Sequence, residues 1–154
     1  LEKNDTSTNQ QESKVEEVIS QPPKVEETVN IIDTSSFAVL SQETINLSHY
    51  GHDCYGCTSG RTASGYYVGD GRIYYQDQTF GSVRVVAADS KYPLGTILRI
   101  GYNGNKITAI VLDRGGGIGD GKKYQIDLLT SSNSKAMELG IIYNTSLEVL
   151  RLGY

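Results

Sequence analysis

All glycines and tyrosines of this chain lie beyond residue 49, and this asymmetry limits where a compact fold can form. The 17 glycines and 11 tyrosines are absent from residues 1–40, which carry eight acidic and three basic side chains, a net charge of −5. Such a segment has too little apolar surface to offset the conformational entropy lost on folding. We therefore expect residues 1–40 to be a disordered acidic linker and residues 41–154 to form one folded domain.

The remaining composition excludes several classes of protein. With the linker's charge removed from the total of −4, residues 41–154 carry a net charge of +1, which provides no basic surface for nucleic acid. No apolar run reaches the roughly 18–20 residues that a membrane-spanning helix needs. We expect a monomer without a nucleic-acid partner or membrane span. Because the chain begins with Leu1, we interpret it as a processed or truncated product with an export signal or anchor upstream.

Beyond residue 41, short segments rich in Val, Ile, Thr and Tyr alternate with glycine-rich turns. One helix is predicted over Ser132–Leu139, which ends at Gly140. Many short strands and so little helix favour a small, mainly β barrel with one or two short helices. The predicted strands are Arg61–Tyr67, Ser82–Ala88, Thr96–Gly101, Lys106–Leu112, Lys123–Leu128 and Leu147–Leu152.

Three aspartates end or interrupt apolar strand-like segments. Asp89 follows four apolar residues, Asp113 follows three, and Asp127 lies between Ile126 and Leu128. Burial raises the pKa of a carboxyl group, and neighbouring carboxylates raise it further, so such a cluster can hold a proton near neutral pH. The competing interpretation is that each aspartate caps a turn. Because aspartate is depleted in strands, three of them in this context favour a catalytic site.

The same segments resemble known families of bacterial cell-wall proteins. The ordered set Val86-Ala87-Ala88-Asp89, Pro93-Leu94-Gly95-Thr96, Val111-Leu112-Asp113-Arg114-Gly115 and Ile126-Asp127-Leu128 resembles the three-aspartate domain, shared with membrane-bound lytic transglycosylase A. Asp113-Arg114-Gly115, Ile126-Asp127-Leu128 and Leu139-Gly140 are also similar to rare lipoprotein A. Gly60-Arg61-Thr62-Ala63-Ser64-Gly65 is similar to the segment that opens the barrel in Gram-positive members. The resemblance implies a six-stranded double-psi β-barrel.

The resemblance implies a lytic transglycosylase that acts on peptidoglycan glycan strands. Such a lyase cleaves the β-1,4 bond between N-acetylmuramic acid and N-acetylglucosamine and leaves 1,6-anhydromuramyl ends. Since the muramic C6 hydroxyl attacks its own C1, one carboxyl group serves first as acid and then as base. The resemblance assigns this role to Asp127, with Asp113 as the alternative donor that otherwise holds the proton in place, and Asp89 as an orienting residue.

The resemblance also implies substrate contacts and a location. Thr62 is expected to donate to the aspartate cluster, Lys122 or Lys123 to supply a basic group, and Tyr66 either to stack on a sugar or to pack against a strand. The chain is then an exported bacterial protein that works outside the cell or in the wall. The alternative from another class is a non-catalytic carbohydrate-binding module of the cell wall.

The two histidines and two cysteines all fall in one short segment. His49, His52, Cys54 and Cys57 have ligand types that suit zinc, but a single CxxC is a weak metal signal. An exported protein more often pairs two cysteines, although the Cys54–Cys57 loop would be very small. A disulfide, a zinc site and free thiols all stay open, and we expect no other cofactor.

Overall fold

Residues 26–154 form a closed β-barrel with one short helix. The computed structural model describes these residues. The helix is α1, Asn133–Leu139. The strands are β1 (Ser41–Gly51), β2 (Tyr74–Asp77), β3 (Gly81–Ala87), β4 (Ile97–Tyr102), β5 (Asn105–Asp113), β6 (Ile126–Thr130) and β7 (Ile142–Arg151).

Six strands close the barrel in the order β3-β5-β4-β7-β1-β6, and β6 pairs back with β3. Two pairings, β1–β6 and β3–β5, are parallel, and the other four are antiparallel. The short strand β2 pairs with β3 outside this ring. The mainly β, six-stranded barrel predicted from the sequence is therefore confirmed. Closure leaves the ring without free edges, which protects strands from pairing with other chains.

Alternation of side chains along the strands divides the core into two layers. Val86, Val111 and Leu128 point into the barrel, where they pack with other buried aliphatic residues. Their neighbours Val85 and Leu129 point outward and pack in a second buried cluster. In β6, Asp127 lies between the inward-facing Ile126 and Leu128, so its side chain faces outward.

The described residues before β1 pack against the barrel, whereas the sequence analysis placed them in a disordered linker. Both carboxylate oxygens of Glu27 accept backbone hydrogen bonds at the start of β2. The donors are Ile73 N at 2.8 Å and Tyr74 N at 2.9 Å. Further along, the ring of Phe37 lies 4.6 Å from that of Phe80. Contact with the barrel thus starts before residue 41, because Phe37 and Glu27 find partners that a linker lacks. We call residues 26–37 the strap; the predicted linker up to residue 25 lies outside the described residues.

The predicted strand over Arg61–Tyr67 is wrong. These residues form a turn closed by one bridge between Arg61 and Tyr67. The turn needs Gly65 at a φ of 94°, a conformation that side chains disfavour. The predicted helix is confirmed: Ser132 Oγ accepts from Lys135 N at 3.1 Å at its start, and Gly140 has a φ of 65° at its end. No helix among residues 26–154 could span a bilayer.

Candidate active site

A cleft on the outer face of the barrel contains two of the three predicted aspartates. It has a volume of about 560 Å³ and is lined by Asp113 and Asp127. Its other walls come from the connection between β1 and β2 and from the loop after β5. Their side chains include His52, Tyr55, Arg61 and Arg114.

Asp113 and Asp127 meet in this cleft because Ala87 of β3 pairs with both of them. Ala87 is opposite Asp113 in the parallel β3–β5 pair and opposite Asp127 in the antiparallel β3–β6 pair. The two aspartates therefore occupy the strands on either side of β3, at the same level of the barrel.

A β-bulge determines the direction of Asp113. Val86 pairs with Val111, but the next residue, Ala87, pairs with Asp113, so Leu112 is an extra residue in β5. Without this insertion Leu112 would stand opposite Ala87, and Asp113 would take the other face. The bulge therefore places Asp113 beside Ala87 and Asp127.

Three donors hold the carboxylate of Asp113. Tyr50 donates its hydroxyl proton to Oδ2 at 2.8 Å. The backbone N–H groups of Ala63 and Arg114 donate to Oδ1 at 2.8 and 2.9 Å. Burial and the negative charge of Asp113 raise the pKa of Tyr50 above its ordinary value, so Tyr50 keeps its proton and stays a donor. Asp113 is thus fixed in one orientation.

The carboxyl group of Asp127 has far less support. Within residues 26–154 its one hydrogen bond comes from Ser48 Oγ, at 2.7 Å. Burial raises the pKa of Asp127 to about 6; the Ser48 bond works against this shift, and the nearby charge of Asp113 adds to it. A carboxyl group with that pKa exists in both protonation states near neutral pH, as acid–base catalysis requires.

Asp89, the third predicted aspartate, takes part in a different set of contacts. It does not line the cleft, and its Oδ1 accepts from Lys91 N at 3.2 Å in the turn after β3. Its Oδ2 packs so closely against Gly119 that a Cβ atom there would lie 2.5 Å from it. Asp89 therefore accepts a hydrogen bond within the turn after β3 and lies close to Gly119 in the loop before β6.

The predicted substrate contacts Thr62 and Tyr66 are both used within the fold. Thr62 is buried, and its hydroxyl binds Ser64 Oγ at 2.8 Å and accepts from Tyr66 N at 3.2 Å. Tyr66 donates to Tyr74 O at 2.7 Å and packs edge-on against Tyr75. The segment reaches the aspartates through the backbone N–H of Ala63 instead of the Thr62 hydroxyl.

Lys122 and Lys123 occupy an exposed loop between Gly119 and β6, and neither lines the cleft. Their backbone atoms stabilise this loop. Lys122 O accepts from Gln125 Nε2 at 2.9 Å, and Lys123 O accepts from Asn46 Nδ2 at 3.0 Å. The basic side chains in the cleft are Arg61 and Arg114 instead.

The cysteines of the CxxC segment are joined in a disulfide. The loop Cys54–Cys57 forms part of the cleft wall and carries the fully exposed Tyr55 at its tip. His52 also lines the cleft, whereas His49 points into the fold, with Nδ1 2.7 Å from Gly140 O and Nε2 2.8 Å from Tyr102 Oη. Burial lowers the pKa of His49. No group of three or more metal-ligating side chains occurs within residues 26–154.

Sequence reasoning missed the residues that hold the aspartates. Ser48 and Tyr50 are two apart in β1, so both point to the same face, and each binds one aspartate. The sequence analysis places no strand over Ser41–Gly51, where the first four residues, Ser41 to Thr44, are all polar. The alternation of Ile45, Leu47 and His49 with Ser48 and Tyr50 was the available signal.

Comparison with known proteins gives a sequence relative and a structural neighbour. No family model matches the chain. The SPbeta prophage-derived uncharacterized protein YorM of Bacillus subtilis (strain 168) is 32% identical over 108 residues, which are 70% of this chain and 41% of that protein. The chain thus spans less than half the length of this relative. A solved structure, the Streptomyces papain inhibitor, aligns with a TM-score of 0.44 and 15% identity over 75% of this chain and 100% of that one.

Proposed function

We propose that this protein is a lytic transglycosylase of the three-aspartate type that cleaves peptidoglycan glycan strands outside the cell. The observation that carries the proposal is the carboxyl group of Asp127. It lines an open cleft, and burial raises its pKa to about 6. An acid of this kind donates a proton to a leaving oxygen and, once ionised, accepts one from a hydroxyl group.

The proposed reaction uses Asp127 twice. Its protonated carboxyl gives the proton to the glycosidic oxygen, O4 of N-acetylglucosamine, while the bond from that oxygen to C1 of N-acetylmuramic acid breaks. The C6 hydroxyl of the same muramic residue then bonds to C1 and passes its proton to the Asp127 carboxylate. The products are a 1,6-anhydromuramyl end and a new chain end, and Asp127 is protonated again without consuming water.

The arrangement of Asp113 supports one catalytic carboxyl group over the two that ordinary glycosidases use. Tyr50, Ala63 N and Arg114 N engage both oxygens of Asp113, which leaves it poorly placed to activate water or to attack C1. Its negative charge instead raises the pKa of Asp127. In this proposal Asp113 is a positioning residue and Asp127 is the catalytic residue.

The walls of the cleft have the chemistry that a glycan needs. Tyr55 presents a fully exposed ring for stacking on a sugar, and His52 provides a hydrogen-bonding group. Arg61 and Arg114 suit the carboxylates that peptidoglycan carries. Two further points agree with the proposal: the ordered three-aspartate motifs, and the prophage origin of the relative, since a phage has to open its host's wall. A binding module, the alternative function, has no need of a protonatable carboxyl group.

Mass spectrometry of muropeptides tests the proposal. Purified sacculi digested with the full chain should yield 1,6-anhydromuramyl ends, and Asp127→Asn should lower their release at least about 100-fold. Asp120→Asn is the matched control, because Asp120 is an exposed carboxylate bound to Lys91 and outside the cleft. Reducing ends would instead identify a hydrolase. Binding to sacculi without any cleavage would identify the binding module.

A further inference from the structure

A second cavity lies between the strap and the barrel, separate from the cleft that holds the aspartates. It has a volume of about 580 Å³. The strap contributes Ile31 and Ile32, and the barrel contributes Arg84 from β3 and Ile107 and Thr108 from β5. The lining is therefore partly aliphatic, with a guanidinium group among the aliphatic side chains.

The cavity exists because β3 and β5 separate at one end. Their pairing begins at Arg84 and Ala109, so Ser82 of β3 lies before the paired stretch, and its backbone N–H donates to Asn30 O of the strap at 2.9 Å. The strap bridges this gap. Asn30 N donates to Ser82 Oγ at 2.7 Å on one side, and Arg99 Nη1 donates to Thr34 O at 2.7 Å on the other.

Arg84 is the unusual side chain of this cavity. It lies between the fully buried Val83 and Val85, and its one hydrogen bond within residues 26–154 runs from Nη2 to Leu129 O at 2.7 Å. Its Nε is enclosed and has no acceptor among these residues. The guanidinium also lies 5.8 Å from the centre of the Tyr74 ring. Burying a cation without a contacting anion is costly, and burial lowers the pKa of Arg84 accordingly.

The other charged groups around the cavity are already engaged. Arg99 and Lys106 share the carboxylate of Glu148 at 3.0 and 2.9 Å. Asp33 lines the cavity but is exposed, and its Oδ1 accepts from Ser35 N. Glu27 is close enough to favour the charged form of Arg84, yet both its oxygens accept backbone N–H groups. Arg84 therefore keeps donors that no described acid contacts.

We propose that this cavity is a binding site for a small carboxylate with an apolar body. The carboxylate pairs with the guanidinium of Arg84, and the apolar body packs on Ile31, Ile32 and Ile107. A guanidinium fork matches the geometry of a carboxylate. The aliphatic lining selects an organic acid over inorganic phosphate, which has no apolar part to bury.

Titration of the full chain with sodium butyrate at constant ionic strength tests this site. In nitrogen-15 NMR spectra, the Nε–H signal of Arg84 and the amide of Thr108 should shift together and saturate. Butyramide, the uncharged analogue, should bind at least about tenfold more weakly, since it lacks the charge-assisted bonds. Inorganic phosphate at the same concentrations should shift these signals less than butyrate does.

Two arginine variants test whether butyrate binds in this cavity or to an arginine elsewhere on the protein. Arg84→Met should weaken butyrate binding at least about tenfold. Arg72→Met should leave it unchanged, because Arg72 already pairs with Asp70 and does not line the cavity. Where Arg84→Met does not fold, the comparison of butyrate with butyramide on the unchanged chain decides. Equal binding of the two compounds, shifts that do not saturate, or tighter binding of phosphate would each overturn the proposal.

Discussion

Ser48 and Asp127 are cross-strand partners in the parallel β1–β6 pair, and the Ser48 hydroxyl donates to the Asp127 carboxyl at 2.7 Å. This contact orients the carboxyl group, but one hydroxyl donor does not offset its burial, so the pKa of Asp127 stays at about 6. The burial that suits Asp127 to donate a proton therefore also means that ionisation of its carboxyl group lowers the stability of the fold. This conflict can be measured.

Asp127→Asn should stabilise the protein at neutral pH. Because the folded-state pKa of Asp127 lies above its ordinary value of 3.8, the folded state binds this proton more tightly than the unfolded chain does, and wild-type stability falls as pH rises from about 4 to about 6. The uncharged amide avoids this loss. We expect a gain of about 1–3 kcal/mol in the free energy of unfolding at pH 7.5 and little gain at pH 4, measured by urea unfolding. An equal effect at both pH values would contradict the assigned burial cost.

The pH dependence of glycan cleavage should follow the protonated form of Asp127. We expect kcat/KM to fall as pH rises above about 6, the pKa of this group. Asp113→Asn removes the neighbouring negative charge, so it should move this fall to lower pH besides slowing the reaction. A fall at the same pH in the variant would show that Asp113 does not act through the Asp127 proton.

Tyr55→Ala should weaken glycan binding without changing the chemical step. Tyr55 is held at the tip of the disulfide loop and contributes only an exposed ring. Loss of stacking should raise KM about three- to tenfold and leave kcat within about twofold. Tyr143→Ala is the matched control, because Tyr143 is also exposed but does not line the cleft. An equal change in both variants would point to a general effect on wall binding.

The sequence allowed prediction of the two aspartates but not of the contacts that make them different. Asp113 and Asp127 each stand next to apolar residues of a strand, and this local pattern is visible in the chain. Their difference arises from Tyr50 and Ser48, which lie at least 63 positions away, and from the bulge at Leu112. Register between distant strands depends on tertiary packing and leaves little local signal.

The order of the strap could not be predicted from the sequence for a related reason. Residues 26–37 are polar on average, and composition alone makes them similar to a linker. Their order comes from a few specific contacts, chiefly Glu27 with the backbone at Tyr74 and Phe37 with Phe80. The available signal was Phe37, a single aromatic residue in a polar segment, and an average over the composition of the segment does not show it.

Phe37→Ala tests whether the strap contributes to stability. The Phe37 ring is half-buried and lies 4.6 Å from the ring of Phe80, which is itself buried. Losing this contact should lower the free energy of unfolding by about 1–2 kcal/mol, less than the cost of removing a fully buried phenylalanine. Val39→Ala is the matched control, since Val39 is 40% exposed and truncating it should cost less than about 0.5 kcal/mol. Urea unfolding of both variants measures the difference, and equal costs would mean that the strap adds nothing beyond surface contact.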